Sequence, residues 1–399
     1  QGVVLVMIDL SAAFDTIDHD ILLRRLQHVF GITGVALKWL SSYLTDRHQS
    51  VVIDGMSSKP VLLRYGVPQG SVLGPKLYTM YTQPLGGLVG QSELDRHFYA
   101  DDAQLYESFE LSANDALSLT AKNVEECVLV SGQWLSVNKL SRNDDKTEVI
   151  VLVPKHAKQL ANNFTLKVGD SQISSSMTVR NLGVIFDTCM SMEPQVNSVC
   201  RSAYAQLRNI GKIRRYLTPG ATKALVHGLV TSRLDYCNSL LYGVPKALTD
   251  KLQRVQNTAA RIITRTSKFE HITPVLQELH WLPVTSRVRF KVLLHTYKAL
   301  HGHAPEYLVK SISVRHPQRA LRSASAVTLT APRYRTQYGS RSFSHSAAVL
   351  WNALPMGVRN APTISSFVKL LKTLLFAQAY GHNPSGAFER AILPEIGAL

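Results

Sequence analysis

Three carboxylates pose the chemical question. Asp9 closes an apolar run, Val3-Val4-Leu5-Val6-Met7-Ile8, and Asp101-Asp102 stands between Phe98-Tyr99-Ala100 and Gln104-Leu105-Tyr106. Carboxylates gathered at strand ends suit nucleotidyl transfer. That reaction takes little covalent help from a protein and relies on paired divalent cations, which activate an attacking hydroxyl and steady a leaving oxygen. Mg²⁺ favours oxygen ligands, chiefly carboxylates and substrate phosphates. An acidic pair alone is unspecific, and Asp144-Asp145 is a second one. The context of Asp101-Asp102 sets it apart: two apolar strands around a doubly acidic tip would suffer like-charge repulsion unless a cation compensates.

Elements able to position these groups can be read from the periodicity. A strand is expected over 3–8, ending at Asp9 and covered on both faces because it is β-branched and apolar throughout. Helices are expected over about 20–30, with Asp18 or Asp20 as cap, and over about 35–44. Short strands follow at 49–54 and 60–65, joined through the turn signal Asp54-Gly55. The loop Gly66-Val67-Pro68-Gln69-Gly70-Ser71-Val72-Leu73-Gly74-Pro75 leads into a helix to about Thr82. Residues 97–106 read as strand, tight turn, strand, followed by a helix over 112–135, a strand over 147–153 and a small β region over 164–187. From about 191 the pattern turns helical, over 193–216, 219–231, 247–266, 287–300 and 365–377, with Thr218-Pro219 as a cap and first-turn proline. Residues 315–345, rich in Arg, Ser and Thr, show little periodicity. The fold class is thus α+β, an antiparallel sheet backed by helices and followed by a mainly helical region. Domains are expected at 1–190, 191–300 and 301–399, the last basic and partly irregular.

Charge divides along the same line. Up to residue 199 there are 16 Lys+Arg against 21 Asp+Glu; from 200 onward there are 28 against 7. A basic half implies a polyanionic partner, because cationic side chains that neutralise phosphates release condensed counterions. Cys127, Cys189, Cys200 and Cys237 are spaced for neither a C-x-x-C pair nor a zinc knuckle, and four cysteines in 399 residues suggest no disulfide scaffold, so a reducing compartment is expected. No uncharged apolar run approaches the roughly 18 residues of a membrane span. The chain opens with Gln1 directly before a core-type strand, so a preceding segment is expected.

With these residues placed, a resemblance emerges. Tyr99-Ala100-Asp101-Asp102 resembles the Y-x-D-D box of reverse transcriptases, Asp9-Leu10-Ser11-Ala12-Ala13-Phe14-Asp15 their first palm motif, and Gly66 to Pro75 the G-x-P-Q-G-S-x-L-G-P motif of the non-LTR (LINE-type) retrotransposon class, of the Jockey and chicken-repeat kind. Order and spacing agree, and joint occurrence is far more specific than any single motif. The resemblance implies a polymerase palm over 1–190 with most of the fingers lying before Gln1, then a helical thumb. It implies an RNA-directed DNA polymerase that joins dNTPs to a DNA primer on an RNA template, holds an RNA–DNA hybrid, and uses two Mg²⁺ or Mn²⁺ ions. No membrane or zinc knuckle is involved, and the protein would work in nucleus and cytoplasm as a ribonucleoprotein.

By the same resemblance Asp9, Asp101 and Asp102 are the metal carboxylates. Phe14, five residues after Asp9, is the gate against a ribose 2′-hydroxyl. Gln69, Gly70 and Tyr99 face the nucleotide or template, and Lys146 protonates the departing pyrophosphate. Asn181-Leu182-Gly183 resembles the turn that grips the primer. Two departures stand out. Lys139, Ser141 and Arg142 interrupt the apolar pattern before Lys146, and Lys76 replaces an apolar residue at a helix start. They leave open a catalytically inactive remnant that only binds nucleic acid. Farther on, Lys251, Arg254, Arg261 and Arg265 flank an apolar stripe, Leu248, Leu252, Val255, Ala259 and Ile262, and are expected at phosphates. Weak or no extension by this stretch alone is expected if the fingers lie upstream.

Overall fold

The computed structural model describes residues 1–381 except 93, 114, 170, 316–326, 335 and 337. Much of the expected irregular stretch, 316–326, and the end from 382 to 399 lie outside the described residues. The chain divides at 190/191 into two compact units.

The first unit is built on β1 (Gly2–Ser11), which lies at the heart of a four-stranded antiparallel sheet. Before the sheet closes come α1 (His19–His28), α2 (Gly34–Leu44), and two nested ribbons formed by β2 (His48–Gln49), β3 (Val52–Ile53), β4 (Met56–Ser57) and β5 (Val61–Leu62). Asp54 and Gly55 both take positive φ in the inner turn, as the Asp-Gly signal requires. Then come α3 (Gly74–Val89), the hairpin β6 (Asp95–Tyr99) and β7 (Asp102–Phe109), α4 (Ala116–Val137) and β8 (Ser141–Leu152). The sheet order is β6-β7-β1-β8. α5 (Lys158–Asn162) and two hairpins, β9 (Thr165–Val168) with β10 (Ser171–Ser174) and β11 (Thr178–Asn181) with β12 (Val184–Asp187), complete the unit.

The two faces of β1 do different jobs. Val4, Val6, Ile8 and Leu10 belong to the main core, together with Leu77, Tyr78, Tyr81 and Leu85 of α3 and Val124, Val128 and Leu135 of α4. The alternate residues Leu5 and Met7 pack on Ile150, Val179 and Phe186, so the β11–β12 hairpin covers the opposite face. With a period of two, Asp9 continues the Leu5–Met7 face.

Several boundaries differ from expectation. β1 continues past Asp9 to Ser11 because Asp9, Leu10 and Ser11 pair with Asn143, Arg142 and Ser141 of β8. α3 runs beyond Thr82 to Val89 with Pro84 inside it. Proline forfeits one helix hydrogen bond, but buried Tyr81, Leu85 and Val89 hold the turns on both sides. The strand before the acidic pair is not core: β6 is an edge strand with Phe98 and Tyr99 exposed, while Ala103, Leu105 and Phe109 of β7 are buried. Arg142 is accommodated by pairing with Asp144 and by donating from Nη1 to the Val128 carbonyl at 3.2 Å. The apolar pattern is broken there without leaving a buried charge unpaired.

The second unit is helical: α6 (Glu193–Ile213), α7 (Pro219–Val226), α8 (Ser232–Asp235), α9 (Lys246–Thr264), α10 (Thr273–Glu278), α11 (Val284–Leu300), α12 (Glu306–Lys310), α13 (Phe343–Asn352), α14 (Met356–Arg359) and α15 (Ile364–Tyr380). Thr218 caps α7, its hydroxyl accepting from the Ala221 amide at 3.2 Å. Leu293 and Tyr297 of α11 share a core with Trp351 of α13 and Phe367 and Leu371 of α15, so helices on both sides of residue 300 pack as one body, not as the separate region expected there. Trp281 and Trp351 are both buried and available to packing, not to bases. Replacing Trp351 by alanine should cost about 3–5 kcal/mol, as for other large core truncations, read as a lowered denaturation midpoint with little change in slope.

Candidate active site

The register of the sheet puts the chemistry in one place. Ile8 pairs with Ala103 and Met7 with Gln104, so Asp9 at the next step lies across from Asp102. Tyr99 pairs with Asp102 through a two-residue turn, Ala100-Asp101, in which Ala100 takes φ +53°. A left-handed alanine is uncommon, and here it reverses the chain so tightly that Asp101 lies at the tip beside Asp102.

β8 supplies the cation. Met7 pairs with Glu148 but Asp9 with Asn143, so β8 carries extra residues opposite the Met7–Asp9 step. The Thr147 hydroxyl closes this bulge onto the Asn143 carbonyl at 2.9 Å. Bulges are common beside functional sites, and Lys146, which lies within this one, has its Nζ 3.9 Å from Asp9 Oδ2. Asp9, Asp102, Gln104, Lys146, Glu148, Arg180 and Asn181 all line one cavity of about 120 Å³.

Asp101 is placed by its field. Burial, then the charges of Asp101 and Asp9, raise the Asp102 carboxyl above the ordinary aspartate range. The Tyr78 hydroxyl is likewise pushed up, by burial first and then by Asp101 and Asp102. Among the described residues no three His, Cys, Asp or Glu side chains are drawn into a ready metal cage. Carboxylates without an intervening cation repel, so there is no force to converge them. Their oxygen donors and mutual repulsion fit a hard divalent cation.

A raised acid pKa has a definite consequence for stability. The folded protein binds the Asp102 proton more tightly than the unfolded chain. The favourable contribution is therefore complete below the unfolded aspartate pKa and is lost as pH rises through the higher folded value. Asp102→Asn should accordingly melt above the parent in EDTA at pH 7, with the gap narrowing as pH falls toward 4; thermal melts across that range test it.

Phe14 is half-buried and stacks on Tyr78, with centroids 4.7 Å apart and planes 20° apart. Gln69 is exposed, and its Nε2 donates to both Asp15 carboxylate oxygens at 3.1 Å. The 66–75 loop is stitched to the β1–α1 connection, Gly66 N donating to Ile17 O at 2.8 Å and Val67 N to Phe14 O at 2.9 Å. Gly66 has φ +88°, and a Cβ there would lie 2.9 Å from the Asp15 carbonyl, so only glycine fits. Gly70 has open space around it, and Tyr99 is 66% exposed on the edge strand. Of the basic residues on α9, Lys251 is engaged with Glu193 and Asn197, and Arg261 with the 267 and 270 carbonyls, while Arg254 is exposed.

Sequence reasoning missed Gln104, Glu148 and Arg180 as cavity residues. Gln104 and Asn181 exchange amide hydrogen bonds, at 2.7 and 3.1 Å, which tie the β11–β12 hairpin to β7. Leu182 and Gly183 both take positive φ in that hairpin's turn. The clue to Gln104 and Glu148 was alternation: each lies an even number of residues from a site residue on its own strand.

Residues 1–186 match the family model described as "Reverse transcriptase (RNA-dependent DNA polymerase)". This segment is a reverse transcriptase domain. The similarity extends further along the chain. The probable RNA-directed DNA polymerase from transposon BS of Drosophila melanogaster is 25% identical over 336 residues, covering 82% of this chain and 36% of that protein. The RNA-directed DNA polymerase from mobile element jockey of the same species is 22% identical over 268 residues, 65% of this chain and 28% of that one. The Pol polyprotein of the type-1 retrotransposable element R2 of Popillia japonica is 26% identical over 157 residues, 35% of this chain and 26% of its own length. The chain thus spans about a third of the length of the curated relatives it matches. Among solved structures, apo telomerase from Candida tropicalis aligns over 72% of this chain and 47% of its own, at 13% identity and a TM-score of 0.35, too loose a likeness to carry an argument.

Proposed function

We propose that this reverse transcriptase domain and the helical unit after it act as the RNA-directed DNA polymerase of a non-LTR retrotransposon, adding dNTPs to a primer 3′-hydroxyl on an RNA template. The observation that carries the reading is the meeting of Asp9 and Asp102 across neighbouring strands, with Lys146 Nζ 3.9 Å from Asp9. Asp9, Asp101 and Asp102 would hold two Mg²⁺ or Mn²⁺ ions, which when bound favour the deprotonated primer hydroxyl and neutralise charge on the leaving group.

The protein's own groups do the rest. Phe14, backed by buried Tyr78, forms a rigid wall against which a 2′-hydroxyl would clash. Gln69, steadied by Asp15, meets the nucleotide or template, and Gly70 leaves the backbone open to close approach. Tyr99 offers an exposed ring beside the carboxylates. Lys146 gives a proton to the departing pyrophosphate oxygen. Arg254 and the basic second unit suit the phosphates of an RNA–DNA hybrid, read by shape. By the same reading the protein works inside the cell, in nucleus and cytoplasm as a ribonucleoprotein; its four unpaired cysteines suit reducing surroundings.

Primer extension on an RNA template tests the proposal. Addition of dNTPs, dependent on Mg²⁺ or Mn²⁺ and abolished in Asp101→Asn, is the expected result. Extension that survives in Asp101→Asn, or that proceeds undiminished when divalent ions are chelated, contradicts it.

A further inference from the structure

The second unit contains a pocket of about 640 Å³ that the polymerase reading does not use. Its size falls within the range of small-molecule sites. One wall is a face of α11, where Arg287, Phe290 and Lys291 recur at helical spacing; the opposite wall is a face of α15, with Lys372 and Phe376. His280, held at φ +53°, edges the rim with its ring 5.9 Å from that of Phe376.

The chemistry of the walls is selective. The pocket's one carboxylate, Asp235, is already engaged, accepting from Arg287 Nε at 2.9 Å and Nη2 at 2.6 Å. Among the described residues neither Lys291 nor Lys372 is ion-paired, so the pocket has cationic capacity to spare. Lys372 instead lies 5.7 Å from the Phe290 ring centre. Half-buried aromatic rings beside lysines make a surface for a flat ring joined to a phosphate. At the base, Asn238 is 3% exposed and donates to Asp235 at 3.3 Å, yet its Oδ1 has no hydrogen-bond partner.

We infer that this pocket takes an unpaired base of single-stranded nucleic acid, with Phe376 against the base and Lys291 and Lys372 on its phosphate. A duplex keeps its bases stacked and offers no such insertion. The pocket lies within the second unit, so the inference does not depend on the polymerase assignment.

Photocrosslinking separates the two. An eight-nucleotide RNA carrying 4-thiouridine is irradiated with the full chain in EDTA without nucleotides, and crosslinked peptides are mapped. Crosslinks are expected within 280–291 and 372–377, retained in Asp101→Asn and lost in Lys291→Glu/Lys372→Glu. Phe376→Ala should weaken binding of the same RNA about 5- to 150-fold, the range set by base–aromatic stacking, while melting as a folded protein. Crosslinks confined to other segments, or unchanged in the double charge reversal, would overturn the inference, as would unchanged affinity in Phe376→Ala.

Discussion

Asp9→Asn is expected to slow single-nucleotide addition at least about a thousandfold, with template–primer affinity changed little. Asparagine keeps the shape and one oxygen but removes the charge that a divalent cation pairs with. Metal-ion stabilisation of a phosphoryl-transfer transition state amounts to several kcal/mol, and about 4 kcal/mol corresponds to three decades in rate. The substitution should spare the fold. The Asp9 side chain is one-third exposed, and its neighbours Ile8 and Leu10 supply the core contacts of that strand end. A second effect compounds the first: Lys146 loses the carboxylate 3.9 Å away that holds it at the site. Single-turnover incorporation at saturating Mg²⁺ measures the loss, and a rate within tenfold of the parent would show that Asp9 is not a metal ligand.

Asp9 was legible because its strand is written plainly. A β-branched apolar run ending in aspartate can be read without homologues, and so can two strands separated by a tight acidic turn. The 66–75 loop was legible for a related reason: its pattern is compact, and Gly66 stands where the backbone runs against Phe14 and Asp15. These features are local, each encoded within about ten residues.

What escaped was the product of pairing between distant segments. Phe98 and Tyr99, read as part of an apolar strand, are exposed because sheet order leaves that strand at the edge, and order is set by partners elsewhere in the chain. The helix expected to stop near Thr82 continues because packing of Leu85 and Val89 outweighs the hydrogen bond Pro84 cannot make. Arg142 looked like damage to an apolar motif; its partner, Asp144, lay two residues away, but the Val128 carbonyl that also receives it belongs to a helix over a dozen residues upstream. The break expected at residue 300 disappears for the same reason, since Tyr297 stacks on Phe367 at a centroid distance of 4.3 Å.

Removal of Lys146 should have the second-largest effect. Continued in register from Met7–Glu148, the ladder would set Lys146 opposite Asp9; the bulge gives that pairing to Asn143 and still leaves Lys146 Nζ 3.9 Å from Asp9 Oδ2. A general acid at the leaving group contributes typically about 10²–10⁴-fold, so Lys146→Ala should slow single-turnover addition by that factor while leaving the melting temperature near the parent's, because the side chain is 71% exposed and an exposed ion pair adds little stability. Lys146→Arg should restore little of the rate: guanidinium keeps the charge but does not give up its proton. That contrast separates proton donation from electrostatic attraction. Recovery in the arginine variant to within tenfold of the parent would assign Lys146 to charge neutralisation alone, and a parental rate in Lys146→Ala would remove it from the reaction.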